Sequence, residues 1–325
     1  MVLDRPSQVL IYHTCGLLDY GPKIYGSFNG GRLEEFIPCH TLKFSDLEDV
    51  EIRKQYARKV AHFHHLKLPL TSNRLDQLIG MKKLFEKFDT PEQRQKVRQN
   101  SDKVGLDTEW AFVIDWRVEH EWLSHKRSKI YSPDVLSTND MNRANALIRD
   151  NPDRYGERVT LVDYELASMN PRGKDLGNHF LMWTIEVNSP DFLSNVDYPS
   201  EDYRREIIEY YLEESKKVNK DYKWDDNGRD SIEHLLLESE YFALQAMMFW
   251  LSFTLEPKNE SNPMNGDDIT RQFYVSPYLD YLVIIFSNYD AFQTWGASMV
   301  PLYQERKKTF MERFGYFFKD NQDGH

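Results

Sequence analysis

Asp140 and Asn145 stand five residues apart in the stretch T-N-D-M-N-R-A-N, and Asp163 closes the apolar run Val159–Val162. Three such groups suit phosphoryl transfer from a nucleotide to an alcohol. One aspartate orients the hydroxyl and takes its proton, while an asparagine and a second aspartate hold magnesium against the phosphates. D-x-x-x-x-N by itself is a weak signal. It gains weight from a second aspartate at the end of a strand-like run, one short loop later. This chemistry asks the protein for positioning and charge neutralisation rather than covalent work, so the elements that carry the three side chains decide the matter.

Before these residues the chain reads as a short helix, Ser7–Leu18, and then two strands, Lys23–Phe28 and Arg32–Ile37, joined by Asn29-Gly30-Gly31. Asn-Gly between β-type runs predicts a hairpin. The same glycines are no phosphate loop, because neither G-x-G-x-x-G nor G-x-x-x-x-G-K-[ST] occurs and no helix follows. Ser45-Asp46-Leu47-Glu48 has the form of a capping box and predicts a helix from there to about Leu66. Its end carries His62, His64 and His65, whose spacing does not put all three on one helical face, which disfavours a metal site. Trp110, Trp116 and Trp122 recur every six residues, a pattern for packing on helix faces rather than a ligand cage. Beyond the aspartate loops, helices are expected over Arg204–Lys217, Ser231–Leu255 and Phe273–Phe292. The tail from Gln304 turns polar and is expected to be poorly ordered at its end.

Composition narrows the partners. With 52 acidic against 41 basic residues the net charge is −11, which argues against a nucleic-acid or anionic-membrane surface. Cys15 and Cys39 are too few for a disulfide framework and too far apart for a zinc site, so two free thiols are expected. Met1–Gln8 lacks the apolar core of a signal peptide, and the apolar stretches Ala243–Leu255 and Tyr281–Phe286 are too short or interrupted to span a bilayer. The expectation is a cytoplasmic protein without a membrane span.

The residues around and after Asp163 carry a resemblance. V-T-L-V-D-Y-E-L-A-S-M-N-P-R-G-K-D-L-G-N-H-F resembles the choline/ethanolamine kinase family, which has a strand, D-F-E-Y-S-x-x-N and R-G-x-D-x-G-N-H-F. Y-G-P-K-I-Y-G, R-L-E-E-F-I-P, A-H-F-H-H-L-K-L-P, F-A-L-Q-A-M-M-F-W and Y-L-D-Y resemble other parts of it, so that the likeness covers roughly Asp4–Tyr289. The resemblance implies an α+β, protein-kinase-like fold. Residues 1–38 would be a remnant of the ATP-covering lobe, and residues 39–325 a mostly helical lobe with the catalytic loop and substrate pocket. It implies ATP as co-substrate, Mg2+, and choline or ethanolamine as the acceptor, in phospholipid synthesis. Asp140 becomes the base, Asn145 and Asp163 the magnesium ligands. Asn142 stands where the family has a nucleotide-contacting Gln, and Glu35 and Ile37 belong to the hinge facing adenine. Trp250, Phe253 and Tyr281 fall where the family holds a quaternary ammonium on aromatic faces, although helix packing explains them as well. Family members often dimerise, so a homodimer is expected on the resemblance alone.

Departures from the family pattern set a second reading beside the first. Thr138 replaces the His of H-N-D, which braces the loop. Met182 replaces the Glu of N-H-F-x-E-W, Val187 stands where a pocket Tyr is expected, and Phe253 replaces a Trp. The helix that begins D-R-x-S-E in the family begins here at Asp4, with Gln8 for its Glu, and no phosphate-covering loop precedes it. Removing a donor from a preorganised site costs about 3–4 kcal/mol. The expectation is therefore an enzyme of reduced activity, with a catalytically impaired or truncated member acting as a binding module as the alternative. An aminoglycoside-type phosphotransferase would share the Asp/Asn/Asp set but not the R-G-x-D-x-G-N-H-F block.

Overall fold

The computed structural model describes residues 5–28, 31–70, 76–92, 114–186, 196–252 and 289–318, with isolated positions between them. Helix α1 (Arg5–Leu17) leads into the hairpin β1 (Ile24–Phe28) and β2 (Gly31–Glu34). Phe28 pairs with Gly31, Ser27 with Arg32 and Gly26 with Leu33 in one antiparallel register, and a shift between Gly26 and Ile24 brings Ile24 opposite Glu34. The second strand ends at Glu34, so Glu35–Ile37 is an extended exit and not the strand end that the sequence suggests.

The next helix corrects a cap. Ser45 has φ −62° and ψ −29°, already helical, and its side chain caps nothing. An N-cap residue needs extended backbone, which Asp49 has, and its carboxylate accepts from Glu51 N at 2.8 Å. Residues 46–48 therefore form a 3-10 turn, and α2 runs over Val50–His64 rather than from Ser45 to Leu66.

Helices α3 (Gln77–Phe88) and α4 (Trp116–Lys129) precede the aspartate loops, which lie among β3 (Cys39–Thr41), β4 (Asp134–Ser137), β5 (Ala146–Arg149), β6 (Val159–Leu161) and β7 (Ser168–Pro171). After the hairpin the chain is thus not only helical. The run Val159–Val162 announces β6, while the others are only three or four residues long, and β4, buried over its last three residues, lacks the period-two alternation that would announce it. They are followed by α5 (Gly173–Leu181), α6 (Glu201–Val218), α7 (Ile232–Ser252) and α8 (Tyr289–Phe314). The expected helix Phe273–Phe292 lies mostly outside the described residues.

The core is built on α7, which is buried on every side from Leu235 to Phe249. Against it lie α3, α5, α6 and α8, while α2 packs on α6. Helix α8 and a 3-10 turn continue to Phe318 through the start of the polar tail, where Phe310, Phe314 and Phe318 line up at four-residue spacing and are buried; the end of the tail, 319–325, lies outside the described residues. Trp116 is fully buried and Trp122 packs edge-on against Phe310 at 5.9 Å, both as core residues; Trp110 lies outside the described residues. The three histidines have separate partners: His62 faces Glu214, His64 faces Asp175 and His65 faces Asn219. Cys15 and Cys39 are both free thiols. Among the described residues no helix is long and apolar enough to cross a membrane.

Candidate active site

Two loops carry the three residues, and antiparallel pairing fastens both ends of one loop to both ends of the other. The first runs from β4 to β5, the second from β6 to β7. At one end Ser137 pairs with Ser168; at the other Ala146 pairs with Leu161, and Val162 N donates to Asn145 O at 3.0 Å. Asp140, Asn145 and Asp163 are brought together by these ladders. Within the first loop, Asn145 Nδ2 donates to Asp140 Oδ2 at 2.7 Å and to Asp140 O at 3.0 Å.

Backbone conformation is unusual at two points of the site. Asn139 has φ 59° and Asp163 has φ 62°. Left-handed backbone costs an L-residue on the order of 1–2 kcal/mol and persists where the surroundings over-determine it. Around Asn139 they do. Its Nδ2 donates to Leu166 O at 2.7 Å and Ser168 Oγ at 2.8 Å, its Oδ1 accepts from Asn170 Nδ2 at 2.8 Å, and its N–H donates to Asp175 Oδ1 at 2.9 Å. Both Asn and Asp tolerate this conformation better than branched residues do, which explains their presence beside the reacting groups.

The brace behind the loop escaped the sequence reading. Asp175, fully buried at the start of α5, accepts from Thr138 N at 2.7 Å and from Ser137 Oγ at 2.8 Å. His64 Nε2 lies 3.1 Å from the same carboxylate, and His64 Nδ1 lies 3.0 Å from Tyr211 OH. The loop geometry that Thr138 put in doubt is held through backbone N–H groups, which no side chain at position 138 has to supply. A signal existed in the sequence, since an aspartate in the apolar helix G-K-D-L-G-N-H-F needs a partner, but the partner lies far away in the chain.

The carboxylates repel. Burial, and then the charge of Asp163, push Asp140 up to about 7; burial, and then Glu165, push Asp163 up to about 6. Asp163 Oδ1 is shut off from solvent and has no hydrogen-bond partner among the described residues. Two crowded carboxylates, one buried orphan oxygen and an amide oxygen at Asn145 are the donor set that a hard divalent cation fits. Among the described residues no cluster of three His, Cys, Asp or Glu forms a closed metal cage. An ion here would be completed by water or phosphate oxygens, as magnesium prefers.

The remaining candidates are distributed differently. Asn142 is buried, and its amide works inside the loop: Nδ2 donates to Asp140 O at 3.2 Å, and Oδ1 accepts from Asn145 N at 3.2 Å. Glu35 N–H is committed to Lys23 O at 2.8 Å, which leaves its carbonyl for any further contact, and Ile37 is buried beside it. Trp250 is half-buried near the end of α7, with its ring 5.5 Å from Phe249. Phe253, Tyr281 and Val187 lie outside the described residues. Met182 offers no charge, and the nearby Glu186 accepts from Arg143 Nη2 at 2.9 Å. Gln8 Nε2 donates to Glu165 O at 3.4 Å, which links α1 to the Asp163 loop. Tyr164 strengthens the link: its N–H donates to Tyr12 OH at 3.0 Å, and its ring stacks on Phe63 at 4.9 Å.

Comparison with known proteins gives the family and the fold. A family model described as choline/ethanolamine kinase matches residues 1–280. A choline/ethanolamine kinase of Homo sapiens is 30% identical over 236 residues, covering 71% of this chain and 56% of that protein. A probable choline kinase 1 of Arabidopsis thaliana is 29% identical over 254 residues, covering 77% and 66% respectively. The chain spans little more than half the length of the human relative it matches. Among solved structures, a choline kinase from Cryptosporidium parvum superposes with a TM-score of 0.60 at 18% identity, covering 98% of this chain and 82% of that one. An ethanolamine kinase from Plasmodium vivax superposes with a TM-score of 0.57 at 18% identity, covering 94% and 75%. At such identity the superpositions establish the fold alone.

Proposed function

The chain belongs to the choline/ethanolamine kinase family, with its α+β, protein-kinase-like fold, and on that premise we propose that it transfers the γ-phosphoryl group of ATP to the hydroxyl of choline or ethanolamine. The observation that carries this reading is the juxtaposition of Asp140, oriented by Asn145 at 2.7 Å, with Asp163, whose buried Oδ1 awaits a partner. Asp140 accepts the substrate hydroxyl's proton on its carboxylate while Asn145 keeps that carboxylate from rotating. Asn145 and Asp163 would hold magnesium, which when bound neutralises charge on the phosphates. Glu35 and Ile37 receive adenine through backbone groups, and Asn142 stiffens the loop near the nucleotide.

Residues 1–38 are read as the part of the ATP-covering lobe that this chain carries, and residues 39–325 as the lobe with the catalytic loop and the acceptor pocket. Trp250, Phe253 and Tyr281 are the proposed faces for the ammonium group, since aromatic rings attract a cation that forms few hydrogen bonds. A cytoplasmic location and a homodimer follow from the same reading. A catalytically impaired binding module is the second reading, favoured by Gln8 and Met182, which remove carboxylates from positions where the family has them.

Magnesium-dependent ADP release, measured with choline and then with ethanolamine for the wild type and Asp140→Ala, tests the proposal. Release above background in the wild type alone is expected. Equal background rates in both proteins would remove the enzyme reading, and saturable ATP binding without turnover would leave the binding module. Trp250→Ala is expected to weaken choline binding; unchanged affinity takes Trp250 out of the pocket.

A further inference from the structure

Strand β2 is exposed along its whole length. Among the described residues its sheet consists of β1 and β2, so each strand keeps one unpaired edge. Such an edge is a template for a further strand, and a hairpin alone is marginally stable in water. The two edges differ. In β1 the register shifts between Ile24 and Gly26, which leaves Tyr25 as an extra residue and bends that edge. In β2 the paired residues follow one another without a gap from Gly31 to Glu34.

The direction of the backbone groups follows from one bond. Glu35 N–H donates to Lys23 O at 2.8 Å, so position 35 turns toward β1. Direction alternates along a strand. Leu33 therefore also turns its amide and carbonyl toward β1, while Arg32 and Glu34 turn theirs to the open edge. Side chains alternate between the faces in the same way. Arg32 and Glu34 share the face of α1, where the Arg32 guanidinium stacks on Tyr12 at 3.6 Å and pairs with Glu34. Leu33 lies on the other face with Phe28, which stands opposite Gly31; the two are 61% and 62% exposed.

Charge selects the occupant. The open edge reads Arg32-Leu33-Glu34, and this triplet is its own complement. Laid antiparallel on a copy of itself about Leu33, it sets Arg32 opposite Glu34 and Glu34 opposite Arg32. Both outward-turned pairs then exchange backbone hydrogen bonds. On one face each cation meets a carboxylate, and on the other Leu33 meets Leu33 beside the Phe28 rings. A two-fold contact requires self-complementarity of this kind. Helix α1 packs on β1, the strand farther from that axis.

We propose that β2 pairs antiparallel with β2 of a second copy of this chain, Arg32 to Glu34, in a continuous sheet across a two-fold axis at Leu33. The contact rests on the hairpin and not on phosphoryl transfer, and ADP release has no part in its test. It gives the homodimer a specific surface, so that a dimer formed elsewhere on the chain is a separate result. A contact of this size is weak and reversible.

Sedimentation velocity of the full chain at rising concentration is expected to show reversible dimers, with a dissociation constant on the order of 10–100 μM. Arg32→Glu and Glu34→Arg are each expected to weaken self-association about tenfold or more, because like charges then face each other. Mixed in equal amounts, the two variants are complementary again and are expected to form a heterodimer with about the wild-type affinity. Leu33→Cys is expected to crosslink to its copy on oxidation, since facing residues of a non-hydrogen-bonded pair bring their Cα atoms to about 4.5 Å. Ile79→Cys, exposed on α3, is the control and is expected not to crosslink. A wild-type chain that stays monomeric overturns the proposal. So do dimers that both charge variants leave intact, folded charge variants that stay monomeric when mixed, or equal crosslinking at positions 33 and 79.

Discussion

The carboxylate of Asp175 accepts the backbone N–H of Thr138 at 2.7 Å. Burial alone would raise this acid, but its hydrogen bonds from His64, Ser137 and Thr138 hold it below the ordinary carboxylate range, so it stays an anion. One buried charge thereby fixes two successive loop amides and a hydroxyl. Asp175→Asn is expected to cost about 3 kcal/mol in urea unfolding, since charged hydrogen bonds are lost from a buried site. It is also expected to speed hydrogen exchange at Thr138 and Asn139 more than at α7. Thr138→Val removes only the 3.3 Å contact from Asp140 N to Oγ1 and is expected to cost less than about 1 kcal/mol. If Thr138→Val proved the more damaging, the brace would lie in the side chain at 138 after all.

Asp163 is held against its own stability. It sits at φ 62°, mostly buried, with its acid raised by burial and by Glu165. Asp163→Asn keeps the shape and the tolerance for left-handed backbone while removing the charge. The variant is expected to melt higher than the wild type, by about 1–2 kcal/mol of stability. Magnesium with ATP is expected to raise the melting temperature of the wild type and not of the variant. A variant that melts lower, or that responds to magnesium and ATP like the wild type, would contradict the role given to this carboxylate.

Physical range separates what was legible in the sequence from what was not. Asp140, Asn145 and Asp163 could be read because their spacing is local and their residue types are specific to the chemistry. Asp175 was visible only as a letter of a motif, because its role depends on Thr138 and His64 across 37 and 111 positions. The cap of α2 misled because Ser45 and Glu48 have the right types at the right spacing, while Asp49, a competing cap, follows directly. The start of the tail hid a helical stripe of three phenylalanines behind its charge count. Strand β6 was legible as the apolar run Val159–Val162, whereas β4, buried over its last three residues, shows no alternation and is defined by its pairing with β7.

Gly177 lets α5 pack tightly on α7. A Cβ there would lie 2.5 Å from Ser239 O and 2.7 Å from Ala243 N, both backbone atoms that cannot rotate away. Gly177→Ala is expected to destabilise the protein by about 3 kcal/mol, because the two helices must separate. Gly26 in β1 has nothing within 4 Å of the corresponding position. Gly26→Ala is expected to leave the urea midpoint within error, and a comparable loss in both variants would show that the cost at Gly177 is not steric.

His179 gives the chain a pH-dependent stability. Burial, and then the charge of Arg143, push its pKa down to about 3. The native state keeps the ring neutral, while the unfolded chain takes up a proton near pH 6.5. The unfolded state therefore binds more protons throughout the window from about 6.5 down to 3, and stability is lost as pH falls through it. Between pH 7.5 and 5.5 this one group accounts for about 1 kcal/mol. Asp140 and Asp163 act in the opposite sense over part of that range, since their raised acids take up protons in the native state. The wild-type slope alone is thus a sum, and comparison with a variant isolates the histidine. His179→Gln retains a group able to meet Tyr203 OH, which lies 3.2 Å from His179 Nε2, and does not titrate. Urea midpoints measured across this range are expected to fall more steeply with acid in the wild type than in His179→Gln. Parallel pH dependences would mean that His179 titrates alike in the folded and unfolded chains.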